Sequence, residues 1–258
     1  MPMTTSLLFF AFILGAVIGS FLNVCIYRIP AGESVISPPS RCPKCGAGIR
    51  WYQNIPILSW IFLRGRCASC KTLIPWRYPA VEALTGGLFV LVLWTFGLQA
   101  ATLVYWIFAA LLVVITFIDF DHQIIPDVIS LPGIPLGFVC SFFVPWLSWA
   151  DSLLGILIGG GSLYLVAFLY ELLTKKEGMG GGDIKLLAMI GAFLGWKAVF
   201  PVIFFSSLLG TLVGVPVMLA RKADGRLAIP FGPFLALGAL IYLFWGYEIL
   251  SWYLSLFS

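Results

Sequence analysis

Eight long apolar runs leave this chain few structures to choose from. They cover Ser6 to Tyr27, Val81 to Leu98, Leu103 to Ile118, Val128 to Leu147, Leu153 to Leu173, Ile184 to Trp196, Val199 to Ala220 and Ile229 to Leu254. All but the sixth approach or exceed the ~20 residues that cross ~30 Å of hydrocarbon at ~1.5 Å per residue. With 61% hydrophobic and only 10% charged residues, the composition excludes an ordinary soluble globular chain. The expected fold is an all-α polytopic membrane protein of about eight transmembrane helices, the short sixth being the least regular.

Basic residues orient these helices. Threading eight spans through the bilayer places Arg28, Arg41, Lys44, Arg50, Arg64, Arg66, Lys71, Arg77, Lys175, Lys176, Lys185, Arg221, Lys222 and Arg226 on one side, with Lys197 alone opposite. By the positive-inside rule that side is the cytoplasm, and both termini lie outside it. The net charge of +4 is therefore topological, and points to a lipid bilayer rather than to nucleic acid as the partner. Residues 1 to 6 carry no Lys or Arg, so the first run reads as a retained anchor rather than a secretory leader.

Residues 28 to 79 interrupt the apolar pattern and hold eight of the fifteen Lys and Arg. This divides the chain into a first helix over 1–27, a small cytoplasmic insertion over 28–79 and a seven-helix membrane domain over 80–258. Within the insertion, Cys42-Pro-Lys-Cys45 and Cys67-Ala-Ser-Cys70 are two C-x-x-C pairs separated by 21 residues, the spacing of two knuckles sharing one tetrahedral zinc. A disulfide or redox pair is the competing reading, disfavoured by the cytoplasmic side and by the doubling of the motif. Four sulfur ligands leave no open coordination position, so the zinc would be structural. The aromatic stretch Trp51 to Trp60 either lies at the headgroup level or packs the knuckles. Cys25 and Cys140, alone in apolar runs, read as small buried hydrophobes.

Chemistry falls to the carboxylates. The lone histidine, His122, cannot form an H-E-x-x-H zinc site, and no G-x-S-x-G elbow occurs. Asp119, Asp121 and Asp127 follow the third run, and Asp183 closes the loop Gly180-Gly181-Gly182-Asp183 before the sixth. Asp127 reads as the N-cap of the fourth helix and Asp121 as a loop residue, whereas Asp119 sits at the membrane boundary, where charge is costly to keep. For Asp183 a second reading is open, a flexible glycine turn capped by its carboxylate. The topology nevertheless returns Asp119 and Asp183 to one face. Two carboxylates at close range share a proton, so one serves as general base on a water while the other polarises a peptide carbonyl. Glu82 reads either as a helix-dipole charge or as a contact for a substrate.

Taken in order, Gly19-Ser20-Phe21-Leu22-Asn23-Val24, Arg28-Ile29-Pro30, the two C-x-x-C pairs, Trp51 to Pro56, Arg77-Tyr78-Pro79, Ile118-Asp119 to Pro126-Asp127 and Gly180 to Asp183 resemble the signatures of the bacterial type IV prepilin peptidases, membrane aspartic proteases of the G-x-G-D class. The resemblance implies Asp119 and Asp183 as catalytic residues, supported by a loop containing Gly180 and Gly182. It implies removal of a basic leader from type IV prepilins or type II secretion pseudopilins at the cytoplasmic face of the bacterial inner membrane. It also implies N-methylation of the new terminus with S-adenosylmethionine, for which the sequence displays no binding loop; the contact open to Glu82 is then the basic leader or the methylation site. An ion-coupled transporter with paired intramembrane carboxylates is the other function class consistent with the residues.

Overall fold

The computed structural model describes residues 4–175, 180–221 and 230–255. Lys176, Gly178, Lys222 and Arg226, which the sequence assigns to cytoplasmic loops, lie outside them. The described residues are helical, with no β-strand beyond two isolated bridges, and form two compact units, Met1–Val114 and Ile115–Ser258.

In the first unit, α1 (Thr5–Arg28) packs along a later helix, α3 (Arg77–Phe96). Their backbones meet because two α1 positions lack side chains. A Cβ on Gly15 would lie 2.8 Å from the Gly86 Cα, and one on Gly19 would lie 2.8 Å from the Glu82 Cα. Small residues at such crossings are how membrane helices gain packing without a hydrophobic drive between them. Asn23 then donates to the Tyr78 carbonyl at 3.1 Å, pinning the C-terminal end of α1 to the start of α3.

The intervening segment carries a 3₁₀ turn (Trp51–Gln53) and the short α2 (Leu58–Phe62). Around them lies a repeat too short and diverged to stand out in the sequence. Arg41, Cys42, Cys45, Ile49 and Trp51 recur at a constant offset of 25 residues as Arg66, Cys67, Cys70, Ile74 and Trp76. Each copy forms the same knuckle. Cys42 N–H donates to Ala47 and Cys67 N–H to Thr72, and antiparallel bridges join Arg41 to Gly48 and Arg66 to Leu73. A left-handed residue follows each second cysteine, Gly46 at φ 71° and Lys71 at φ 57°. The aromatic stretch divides between its two readings: Trp60 donates to the Ile74 carbonyl at 3.0 Å and covers the second knuckle, while Trp51 is exposed.

Helix α4 (Ala100–His122) crosses from one unit into the other. Its Trp106 stacks on Phe89 with centroids 4.9 Å apart and donates to the Phe89 carbonyl at 2.9 Å.

The second unit is built around one short helix. After α5 (Asp127–Ser141) and α6 (Trp149–Thr174) comes α7 (Gly181–Leu194), followed by α8 (Trp196–Arg221) and α9 (Gly232–Ser255). Every residue of α7 from Leu186 to Phe193 is buried, and α5, α6, α8 and α9 all pack on it. A helix apolar all round must be enclosed in this way. Gly155 of α6 and Gly191 of α7 bring the two backbones into direct contact, each occupying the space where the other would need a Cβ. Ser152 of α6 donates to the Ala192 carbonyl at 2.7 Å beside them.

The fourth apolar run, expected to stay helical to Leu147, ends as a helix at Ser141. Pro145 accounts for the stop, since it disfavours helical backbone before it and has no N–H to offer. Among the described residues six helices, α1, α3, α4, α6, α8 and α9, are long and apolar enough to cross a membrane, whereas α5 and α7 have 15 and 14 residues. Large apolar side chains such as Phe9, Trp94, Leu157, Phe204 and Leu219 face outward along these helices, as lipid-facing surfaces require.

Candidate active site and metal centre

Asp119 lies in the last turn of α4, 4% exposed in an otherwise apolar setting. The helix ends just beyond it. Gln123 adopts a left-handed conformation at φ 55° and its N–H closes onto the Asp119 carbonyl at 2.9 Å, after which Pro126 forbids continuation. Asp183 sits in the first turn of α7, whose N-cap is Gly180, so it belongs to the helix rather than capping it. Its carboxylate is half-buried and lies within electrostatic range of Asp119.

Ile125 lies against Gly182, beside Asp183, and against Gly232, which bonds Asp119. A Cβ on Gly182 would lie 2.9 Å from the Ile125 Cβ, and one on Gly232 would lie 3.3 Å from the Ile125 Cδ1. The loop after α4, the start of α7 and the start of α9 therefore converge on one side chain. Gly182 is needed there for close approach, while Gly180 is exposed and its missing Cβ lies 4.0 Å from an Asp183 carboxylate oxygen.

Gly232 is the functional residue that the sequence reading missed. Its N–H donates to the Asp119 Oδ2 at 2.9 Å, and a Cβ there would fall 2.7 Å from that same oxygen. The Pro230-Phe231-Gly232-Pro233 segment was the available signal, a glycine between prolines at a helix start, but nothing linked it to a carboxylate 113 residues earlier.

Asp127 corrects an expectation. The N-cap of α5 is Pro126, which offers no side-chain cap, and Asp127 is the first helical residue. Its Oδ1 instead holds the Lys185 Nζ at 2.6 Å. This ion pair ties the start of α5 to the start of α7, two residues beyond Asp183. Asp121 is exposed at the end of α4.

In the first unit, Cys42, Cys45, Cys67 and Cys70 are free thiols whose sulfurs all lie within 4.8 Å of one another. The Sγ atoms of Cys42 and Cys70 are 3.8 Å apart, close to the edge of a tetrahedron of sulfurs about 2.3 Å from a central zinc. The donor set fits a closed structural site. Hydrogen bonding from the Thr72 side chain, then its backbone, holds the Cys70 thiol down at about 6, favouring a thiolate ligand. Cys45 is pushed up to about 11, because its Ala47 backbone bond is outweighed by Cys70 and the other sulfurs. Thiols this close cannot all ionise without a cation among them. Cys25 and Cys140 are buried singly.

Glu82 is neither exposed nor in the first turn of α3, so the dipole reading does not describe it. It is 8% exposed and accepts the Ile57 N–H at 2.6 Å.

Residues 13–96 match the Bacterial Peptidase A24 N-terminal domain, and residues 106–215 match the Type IV leader peptidase family. Relatives named "Prepilin leader peptidase/N-methyltransferase" include those of Pseudomonas putida and Neisseria gonorrhoeae. The first is 40% identical over 261 residues, covering 93% of this chain and 91% of its own. The second is 44% identical over 255 residues, covering 90% and 88%. The Pseudomonas aeruginosa relative is 40% identical over 270 residues, covering 94% and 92%. No solved structure matches the chain.

Proposed function

The chain belongs to the type IV leader peptidase family, and on that premise we propose that it cleaves leaders from type IV prepilins and pseudopilins with Asp119 and Asp183, then methylates the exposed amine. It is an enzyme of two activities, and its family membership leaves no ground for the transporter reading.

The observation that carries the peptidase reading is the convergence of the loop after α4 and the starts of α7 and α9 on Ile125, with Asp183 within electrostatic range of Asp119 and the Gly232 N–H on the latter's carboxylate. Between them the pair holds one proton. The ionised member takes a proton from water as its oxygen attacks the scissile carbonyl, and the protonated member donates to the carbonyl oxygen. Collapse of the tetrahedral adduct breaks the C–N bond, and the proton taken from water goes to the leaving amine. The Gly232 N–H keeps Asp119 in place through both steps, and burial of that carboxylate excludes competing water.

The site works at the cytoplasmic face of the inner membrane. There the basic residues of a leader meet the inner headgroups and the pilin helix enters the bilayer. The four cysteines hold a structural zinc that folds the inserted segment and offers no position for substrate. S-adenosylmethionine supplies the electrophilic methyl group of the second activity.

The test is leader removal from a prepilin by purified Asp119→Asn and Asp183→Asn proteins. Loss of cleavage is expected in both, and normal cleavage by either sinks the reading. Mass measurement of the mature pilin N-terminus then reads the second activity, as one added methyl group.

A further inference from the structure

Helix α5 starts just after Ile125, on which the site converges, and the ion pair of Asp127 with Lys185 ties its first turn to that of α7. One side of α5 is closed. Ile129, Ser130, Gly133, Gly137 and Cys140 are buried, and a Cβ on Gly137 would lie 2.8 Å from the Ala192 Cβ of α7. The other side is open and apolar. Val128, Leu131, Pro132, Pro135, Leu136 and Val139 are exposed, and their spacing of three and four residues makes one stripe along the helix. No charged residue follows Asp127 in α5.

Lipid alone is a poor cover for this stripe, because of what its backbone carries. Proline has no N–H, so Pro132 and Pro135 deny the carbonyls of Val128 and Leu131 the α-helical partner that the fourth residue onward supplies. A helical carbonyl points along the axis toward that fourth residue, and all four residues are exposed, so both acceptors open onto the apolar stripe. Hydrocarbon tails have no donor to offer them. Helix α8 also holds two prolines, Pro201 and Pro216, but spread through 26 residues, whereas α5 gives up two α-helical bonds within 15.

A substrate brings the matching donors. A carbonyl inside a helix is shielded by its own turns, so the pilin must unwind around the scissile bond, and the N–H groups freed there need new partners in apolar surroundings. We propose that the exposed stripe of α5 is the docking surface for the apolar segment that follows the scissile bond of the pilin, with the carbonyls of Val128 and Leu131 accepting N–H groups of its first, unwound residues. The inference rests on the peptidase reading and adds where the substrate lies. Apolar contact along the stripe and the two hydrogen bonds hold the scissile bond beside Asp119 and Asp183.

The experiment is steady-state cleavage of a full-length prepilin by the full-length protein and by its doubly substituted variant Pro132→Ala with Pro135→Ala, with Tm as the control of integrity. Alanine returns both N–H groups to the helix, where they take the two carbonyls, so Tm should equal or exceed that of the parent. KM should all the same rise about tenfold, the scale of two lost hydrogen bonds, while kcat stays within about twofold. A purely structural role for the prolines would move Tm and leave KM alone, so KM at the parent value overturns the proposal. The second measurement places photoreactive benzoylphenylalanine at Leu136 in the Asp119→Asn protein, which keeps the prepilin intact. It should cross-link the residues just after the scissile bond, and the same group at the exposed Phe204 of α8 should not. Cross-linking at Leu136 to lipid alone makes this face a lipid wall and overturns the proposal. If the alanines lower Tm, the cross-link decides by itself. Normal cleavage by Asp119→Asn fails the peptidase reading, whereas a parent-like KM beside an inactive Asp119→Asn fails only the docking surface, which separates the two.

Discussion

Two buried carboxylates in this protein are held in the same way and surrounded in opposite ways. Asp119 accepts the N–H of Gly232 and Glu82 the N–H of Ile57, each from a segment distant in sequence. Around Asp119 stand closely packed apolar helix ends and a second carboxylate, Asp183. Around Glu82 stand a cavity, a guanidinium and a cysteine tetrad. A backbone donor from a distant segment thus anchors each carboxylate, while its surroundings decide what the carboxylate can do. A partner of like charge suits Asp119 to share a proton.

The largest expected effect separates the two regions outright. Asp119→Asn and Asp183→Asn should each lower prepilin cleavage by at least about a thousandfold, the scale on which catalytic groups acting as a unit are lost. Their zinc content, measured by metal analysis, should remain that of the parent.

Gly232→Ala tests whether the backbone donor matters as much as the carboxylate it holds. The new Cβ would press on the Asp119 Oδ2, so kcat for cleavage should fall about a hundredfold, the cost of misplacing a catalytic group by roughly an ångström. KM should stay near the parent value, because the substrate contacts are untouched.

Cys42→Ser together with Cys67→Ser should bring zinc content below one per chain by metal analysis, since a metal-stapled site is lost with its ligands. Cleavage should fall by less than methylation. Equal losses would mean that the two regions depend on each other more than their separate cores suggest.

The smallest effect belongs to the clamp at the start of α5 and α7. Lys185 and Asp127 are 35% and 59% exposed, and pairs in such settings are worth about 1 kcal/mol or less. Lys185→Met should therefore cost no more than about fivefold in cleavage. Because the two residues form one interaction, Asp127→Asn should add little when combined with it. A hundredfold loss would place the lysine on the substrate instead.

Much of this architecture is legible in the chain because it is local. Apolar runs of helical length, paired C-x-x-C knuckles and an aspartate after a glycine run depend on neighbours within a few residues. The 25-residue repeat is carried in sequence by its Arg, Cys, Ile and Trp positions, while the residues between them diverge because a left-handed lysine serves the turn as well as a glycine. The end of α5 at Ser141 was readable from Pro145 but was masked by the apolar residues that continue past it.

By itself, then, the sequence determined the class of fold and singled out the four cysteines and two aspartates as candidates, because composition, spacing and helical period are properties of a chain before it folds. Only the tertiary structure decided which backbone N–H meets which carboxylate. The bonds from Gly232 to Asp119 and from Ile57 to Glu82 join segments 113 and 25 residues apart, and packing alone brings them within reach. Hydrogen bonds are short-ranged and strict in direction, so their partners are fixed when helices dock and not by the order of residues along the chain.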